Sequence, residues 1–229
     1  MNISGIGLYF KRNFKTMDLW GRFFSSLILS STICFAQPIH PADSLLYSSN
    51  TPLVRKMAIS PISLWQRLSY RIDSLNCQFY PSCSNYGAQS IAQHGVILGS
   101  ALAADRIARC NPMAYHYHIR AKEPLFHNDG RLLNHVPIKL FSDTKGDKSP
   151  ALASLLSTVA PGLGRVYANR TWDGLFGLLT VATMANLTYK SHTNNSSTGT
   201  VFFGGLTATF YLGEIIGAYR TAVAANNRP

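Results

Sequence analysis

Two long stretches near the C-terminus are almost free of charge, and they limit the fold more than anything else in the chain. Trp172 to Tyr189 carries one early charge, Asp173, and Val201 to Tyr219 carries only Glu214. Hydrocarbon offers a peptide group no hydrogen-bond partner, so a segment entering it must satisfy its own amides and carbonyls, as a helix of roughly 20 residues does. The pattern predicts a membrane helical hairpin joined through Ser191 to Thr200, where Asn194-Asn195-Ser196-Ser197 is polar. Trp172 and Tyr189 suit the two interfaces of the first span. A soluble helical pair in a buried core is the alternative the same pattern allows. Glu214 lies near a helix end, where its carboxylate is expected to reach water rather than an interior partner. Upstream, Ala151 to Ala160 is apolar, but Pro161-Gly162-Leu163-Gly164 interrupts it and predicts an interfacial or half-spanning helix.

Composition points the same way. Of 229 residues 46% are apolar and only 14% charged, against roughly 25% charged in a soluble protein. The net charge of +11 calls for an anionic partner, and so low a charged fraction favours lipid headgroups over nucleic acid, for which no reader motif is present. At the N-terminus Lys11, Arg12, Lys15 and Arg22 precede an apolar run from Phe23 to Phe35, and Cys34-Phe35-Ala36 offers small residues for cleavage. Residues 1–36 read as a signal peptide or anchor, with Met17 an alternative start. The apolar run is short of the ~20 residues of a span, which favours cleavage. A signal with its basic end inside puts the middle of the chain outside. Arg165, Arg170, Arg220 and Arg228, flanking the hairpin ends, pull the other way.

Residues 37–57, rich in Pro and Ser without an apolar period, read as a linker. A helix is expected from about Ser60, with Pro61 in its first turn and Leu64, Trp65, Leu68, Ile72 and Leu75 along one face. Trp65, Arg67 and Arg71 then suit contact with anionic lipid or a partner, Trp65 at headgroup depth. Packing of the same stripe on the chain's own domain is the competing reading. Next, Pro81 bars helix before Cys83, Ser82 or Ser84 caps a new helix, and that helix runs to about His94. Gly95 ends it as the left-handed residue. A second helix buries Val96, Ile97, Leu98, Ala101, Leu102, Ile107 and Ala108, places Arg106 and Arg109 at its C-terminal dipole, and stops at Asn111-Pro112 beside Cys110.

Cys77, the stretch Phe79-Tyr80-Pro81-Ser82-Cys83-Ser84-Asn85-Tyr86, His94-Gly95, Gly99 and Arg106-Ile107-Ala108-Arg109-Cys110-Asn111-Pro112 resemble the YidD family of membrane-protein insertion efficiency factors. Ile59-Ser60-Pro61 and Trp65-Gln66-Arg67 are similar to that family's opening helix, so the resemblance covers about Ile59 to Pro112. It implies a small, non-enzymatic helical protein at the bacterial inner membrane. The implied partners are insertase or translocon components and nascent membrane proteins. No catalytic residue comes with it. Beyond Pro112 the chain reads Met113-Ala114-Tyr115-His116-Tyr117-His118 instead of the family's usual Gly-rich end. Later, Pro161-Gly162-Leu163-Gly164-Arg165-Val166-Tyr167, with Tyr211-Leu212-Gly213 and Gly217-Ala218-Tyr219-Arg220, resembles a small bacterial membrane-domain family of unknown function. Gly213 and Gly217 share one helix face for close packing, and Gly162-x-Gly164 lacks the residues of a phosphate loop.

With Cys34 removed alongside a signal, Cys77, Cys83 and Cys110 remain. They read as one disulfide plus a thiol, as buried thiols, or as three ligands of a Cys3His zinc site completed by His116 or His118. The expected whole is an all-α protein. A signal peptide or anchor (1–36) and a linker (37–57) precede a small cysteine-containing helical domain (58–125); a second linker (126–150) leads to the C-terminal membrane hairpin (151–229). No cofactor is expected. An envelope thiol or zinc-binding protein is the rival reading.

Overall fold

The computed structural model describes residues 40–70, 77–120, 125–141 and 146–227. The expected signal or anchor, Arg71, Ile72, Leu75 and Arg228 lie outside them. The described residues form nine helices and one pairing of two-residue strands, an all-α architecture.

Helix occupies the stretch expected as the first linker. Helix α1 spans Pro41–Tyr47 and α2 spans Leu53–Ser69. Pro41 sits at the first helical position and the His40 amide donates to Asp43 Oδ2 at 3.1 Å, so two local start signals fix α1 without any apolar period. The N-cap of α2 is Pro52 rather than a residue near Ser60, and Pro61 lies inside the helix. Pro61 has no amide for the Met57 carbonyl, a loss that costs least on the exposed face where both residues lie.

Strand β1 (Phe79–Tyr80) pairs in parallel with β2 (Leu132–Leu133). Helix α3 covers Cys83–His94, capped by Ser82 Oγ accepting from the Asn85 amide. Gly95, at φ +84°, turns the chain directly into α4, Val96–Arg109. The pair crosses closely at Gly99, where a Cβ would fall on the Ile91 backbone. Ala88 and Ile91 of α3 pack with Ala42 and Ile59, which fixes α1 and α2 to the pair. A short α5 follows, Ala114–Ile119.

Helix α6 is Pro150–Val159, and α7 is Leu163–Tyr167, entered through left-handed Gly162. The long α8 (Thr171–Thr193) and α9 (Ser197–Asn226) form the expected hairpin, turning at residues 194–196. By length and composition α9 alone among the described helices can cross a membrane. Helix α8 is long enough at 23 residues, but Thr180, Thr183, Asn186 and Thr188 dilute its apolar content.

The described residues form one compact unit. The stretch 126–150, expected to divide the chain, is tied at both ends. It contributes β2, and the Lys148 amide and carbonyl both bond the Asn226 side chain at the end of α9. Helix α9 lies against α4 with no room for a side chain between them: a Cβ on Gly213 would lie 2.8 Å from the Ala101 carbonyl oxygen.

Candidate functional site

Helix α2 is amphipathic in an inverted sense. Its buried side is Ile59, Ser63, Gln66 and Ser69, and Gln66 accepts from the Ala42 amide at 3.0 Å while donating to Ser84 Oγ. Its outer side is Leu53, Val54, Met57, Leu64, Trp65 and Leu68, with Leu53 73% and Trp65 55% exposed. At 100° per residue these six fall within about a third of the helix circumference. Among the described residues the expected apolar stripe therefore faces outward at Leu64, Trp65 and Leu68. Arg67 is not on that surface; it is drawn inward to Asp43 at 3.1 Å. Burial raises the Asp43 carboxyl, but Ser63 Oγ, the His40 amide and Arg67 outweigh it and hold the group below the usual carboxylate range.

The polarity of α6 to α9 is inverted as well. Ser157, Arg165, Asp173, Glu214 and Thr221 are buried among Ala153, Ala168, Ala218 and Ala222. Leu155, Val159, Leu163, Trp172, Leu178 and Leu179 point out. Charged groups inside and aliphatic groups outside are the reverse of a soluble core.

Most of the buried charges meet at Arg165 and Asp105, and a second set gathers at Asp173. Arg165, with no exposed surface, bonds Asp105 Oδ1 at 2.8 Å and both Glu214 oxygens at 2.9 and 3.1 Å. Asp105 also receives Arg109 at 2.9 Å and Arg220 at 3.2 Å; its carboxyl, raised by burial, is carried well below its ordinary value by Arg109, Arg165 and Arg220. Asn111 donates to Asp173 at 2.6 Å, and Arg170 pairs with Asp173. Glu214, expected to reach water, instead has an interior partner, because α9 continues well past it to Asn226. The glycines make room. A Cβ on Gly217 would fall on Arg165 and Asp105, and one on Gly177 on the Glu214 carboxylate. Gly162 and Gly174 meet backbone to backbone, and Gly164 meets the Ala153 carbonyl. Pro161 lies in the α6–α7 turn, and Tyr167 Oη accepts from the Ser149 amide.

The residues of the Phe79–Pro112 motif converge on Arg106. Its guanidinium is buried between the Phe79 and Tyr86 rings, 4.5 and 4.3 Å from their centroids. It donates to the Pro81 carbonyl at 2.6 Å and the Asn134 carbonyl at 2.5 Å. Arg106 is committed to tertiary partners rather than to the helix dipole, whereas Arg109 stays in the last turn of α4 and pairs with Asp105 on the same helix. Pro112 is exposed.

Beside this lies the thiol cluster. Cys77 precedes β1, Cys83 opens α3 and Cys110 ends α4, and the three Sγ atoms lie within 4.8 Å of one another. Cys77 and Cys83 approach to 3.2 Å without a bond, so the three are thiols here rather than a disulfide and a spare. Hydrogen bonds from Cys110 and Cys83 pull Cys77 far below the ordinary thiol range, while contacts with Cys110 and Cys77 push Cys83 up and the contact with Cys77 pushes Cys110 up. His116 packs edge-on to Tyr117 and His118 Nε2 lies at the Leu125 carbonyl. Neither joins the thiols.

Sequence reasoning missed Asp105, Arg165 as an ion-pair partner, and Asp43. Asp105 sits four residues before Arg109, a spacing that signals a pair; the other two had no local signal.

The profile of the YidD family, described as "Putative membrane protein insertion efficiency factor", matches residues 54–118. Relatives of that name include proteins of Oleidesulfovibrio alaskensis and Clavibacter michiganensis, each 45% identical over 60 residues, and of Psychrobacter cryohalolentis, 43% identical over 61 residues. The aligned stretch is 26 to 27% of this chain and covers 70%, 58% and 49% of those proteins respectively. No solved structure matches the chain. On the Oleidesulfovibrio likeness, which spans most of that protein, the chain belongs to the YidD family.

Proposed function

We propose that this chain is a membrane-associated, non-enzymatic factor that assists insertion or folding of integral membrane proteins at the bacterial inner membrane. The observation that carries the membrane part is the inverted polarity of α6 to α9, with Arg165 and Glu214 inside and Leu155, Val159, Leu178 and Leu179 outside. Hydrocarbon stabilises that arrangement and water does not. The outward face of α2 adds a second contact, lying in the headgroup region with Trp65, while Lys56 and the net positive charge draw the chain to anionic lipid. The insertion part rests on the names its relatives carry. In this reading Cys77, Cys83, Cys110 and the Arg106 cluster hold the domain's shape, and the partners are insertase or translocon components and nascent membrane proteins.

The test is the fraction of a newly made polytopic reporter that resists alkaline carbonate extraction, in cells with and without the chain. Loss of the chain lowers that fraction, the unaltered chain restores it, and Leu64→Ser/Trp65→Ser restores less. Equal insertion with and without the chain overturns the reading. On vesicles containing anionic lipid the double variant binds roughly 100-fold more weakly, since each of the two buried side chains contributes about 1.5 kcal/mol or more.

A further inference from the structure

We propose that Cys77, Cys83 and Cys110 form a three-thiolate site for a thiophilic d10 cation such as zinc, with its fourth position open to solvent. The inference is independent of the membrane reading and starts from geometry. Three elements separated in sequence deliver one sulfur each to a single point, all within 4.8 Å. Sulfurs around a tetrahedral zinc, with Zn–S near 2.3 Å, lie about 3.8 Å apart, so closing on the metal requires shifts of an ångström or less. A disulfide uses two sulfurs and gives no reason for the third to be there.

The surroundings suit thiolates. The Cys83 amide donates to Cys77 Sγ at 3.3 Å, and the backbone at Phe79 and Gln78 favours the thiolate forms of Cys77 and Cys110. Backbone aimed at sulfur in this way stabilises negative charge there, as outer donors do around ligating groups. Three thiolates and a divalent cation leave a net charge of minus one, and the Arg106 and Arg131 guanidiniums both lie close enough to act on these thiols. On the inner side Phe79, Ala114 and Leu132 pack against all three cysteines and exclude water. On the outer side a cleft of about 530 Å³ is lined by Cys77, Gln78, Tyr115, Asp129 and Arg131. A closed structural site takes four protein ligands; among the described residues this group has three, so water or a small anion takes the fourth place from the cleft.

The experiment uses the full chain, purified in detergent under reducing, oxygen-free conditions and incubated with zinc or, separately, cobalt(II). The expected result is one equivalent of zinc after gel filtration and three thiols protected from a thiol reagent until a chelator is added. The cobalt form shows sulfur-to-metal charge transfer with tetrahedral d–d bands, a signature that needs no variant. Cys83→Ser and Cys110→Ser each lower zinc retention at least 10-fold. Substoichiometric zinc in the unaltered chain overturns the proposal. So does retention unchanged in both variants, or a Cys77–Cys83 disulfide in protein trapped directly from cells.

Discussion

Arg106 illustrates how much a single side chain does in this protein. Its two terminal nitrogens serve carbonyls on different segments, Pro81 ahead of α3 and Asn134 after β2, while the Phe79 and Tyr86 rings cover the two faces of its guanidinium. A lysine keeps the charge but cannot reach both carbonyls or fill the slot between the rings. Arg106→Lys is therefore expected to lower stability by about 2–4 kcal/mol, read from denaturant unfolding in detergent, while Lys139→Arg leaves the midpoint unchanged. Asp43 gives a prediction in pH. Its folded-state carboxyl lies below the ordinary value of 3.8, so its contribution is complete above that value and is lost as pH falls through the folded value. Asp43→Asn should destabilise the protein at pH 7 and flatten the acid limb of its stability profile; an acid limb unchanged from the parent would count against the Ser63–Asp43–Arg67 arrangement. In sequence, Arg106 sat where a helix dipole welcomes a cation, which hid its real partners.

Among the helices, spacing and caps made most boundaries legible. Ser82, Gly95 and the Asn111-Pro112 stop delimit α3 and α4 much as the residues suggest, and the α8–α9 turn falls inside the polar stretch. The start of α2 did not, because Pro61 resembles a first-turn proline and Pro52, nine residues earlier, is an equally good one. The outward direction of the α2 stripe was also beyond the pattern: periodicity finds an apolar face, while the polar side became the buried one only because Gln66 and Ser63 find Ala42, Ser84 and Asp43 on neighbouring helices. Helix α9 carries its own contrast. A Cβ at Gly217 would collide with Arg165 and Asp105, whereas Gly205 has nothing within 4 Å. Gly217→Ala should cost about 2 kcal/mol or more and Gly205→Ala close to nothing, compared by thermal unfolding of the two variants in one detergent.

For the molecule as a whole, the decisive feature is the ion network clasping α4 to the hairpin. Removing Arg165 alone leaves Asp105 and Glu214 buried together without their shared cation, a loss of about 3–5 kcal/mol. Arg165→Met should thus yield a chain whose α8–α9 hairpin is cut by limited proteolysis while α3–α4 persists, and adding Glu214→Met should recover part of the loss. Equal resistance of Arg165→Met and the parent would mean the network does not hold the halves together. Sequence could not reveal this. The partners stand 49, 60 and 115 residues apart, and each taken alone looks like an ordinary flanking charge.

That separation also dictates an order of events at the ribosome. Domains begin to fold as they are synthesised, yet Asp105 keeps an uncompensated face until Arg165 and finally Arg220 have been translated. Helix α4 therefore gains its last partners only when the hairpin arrives. A factor read as helping other chains into the membrane would itself be a late assembler, its clasp complete only once the last helix has been made.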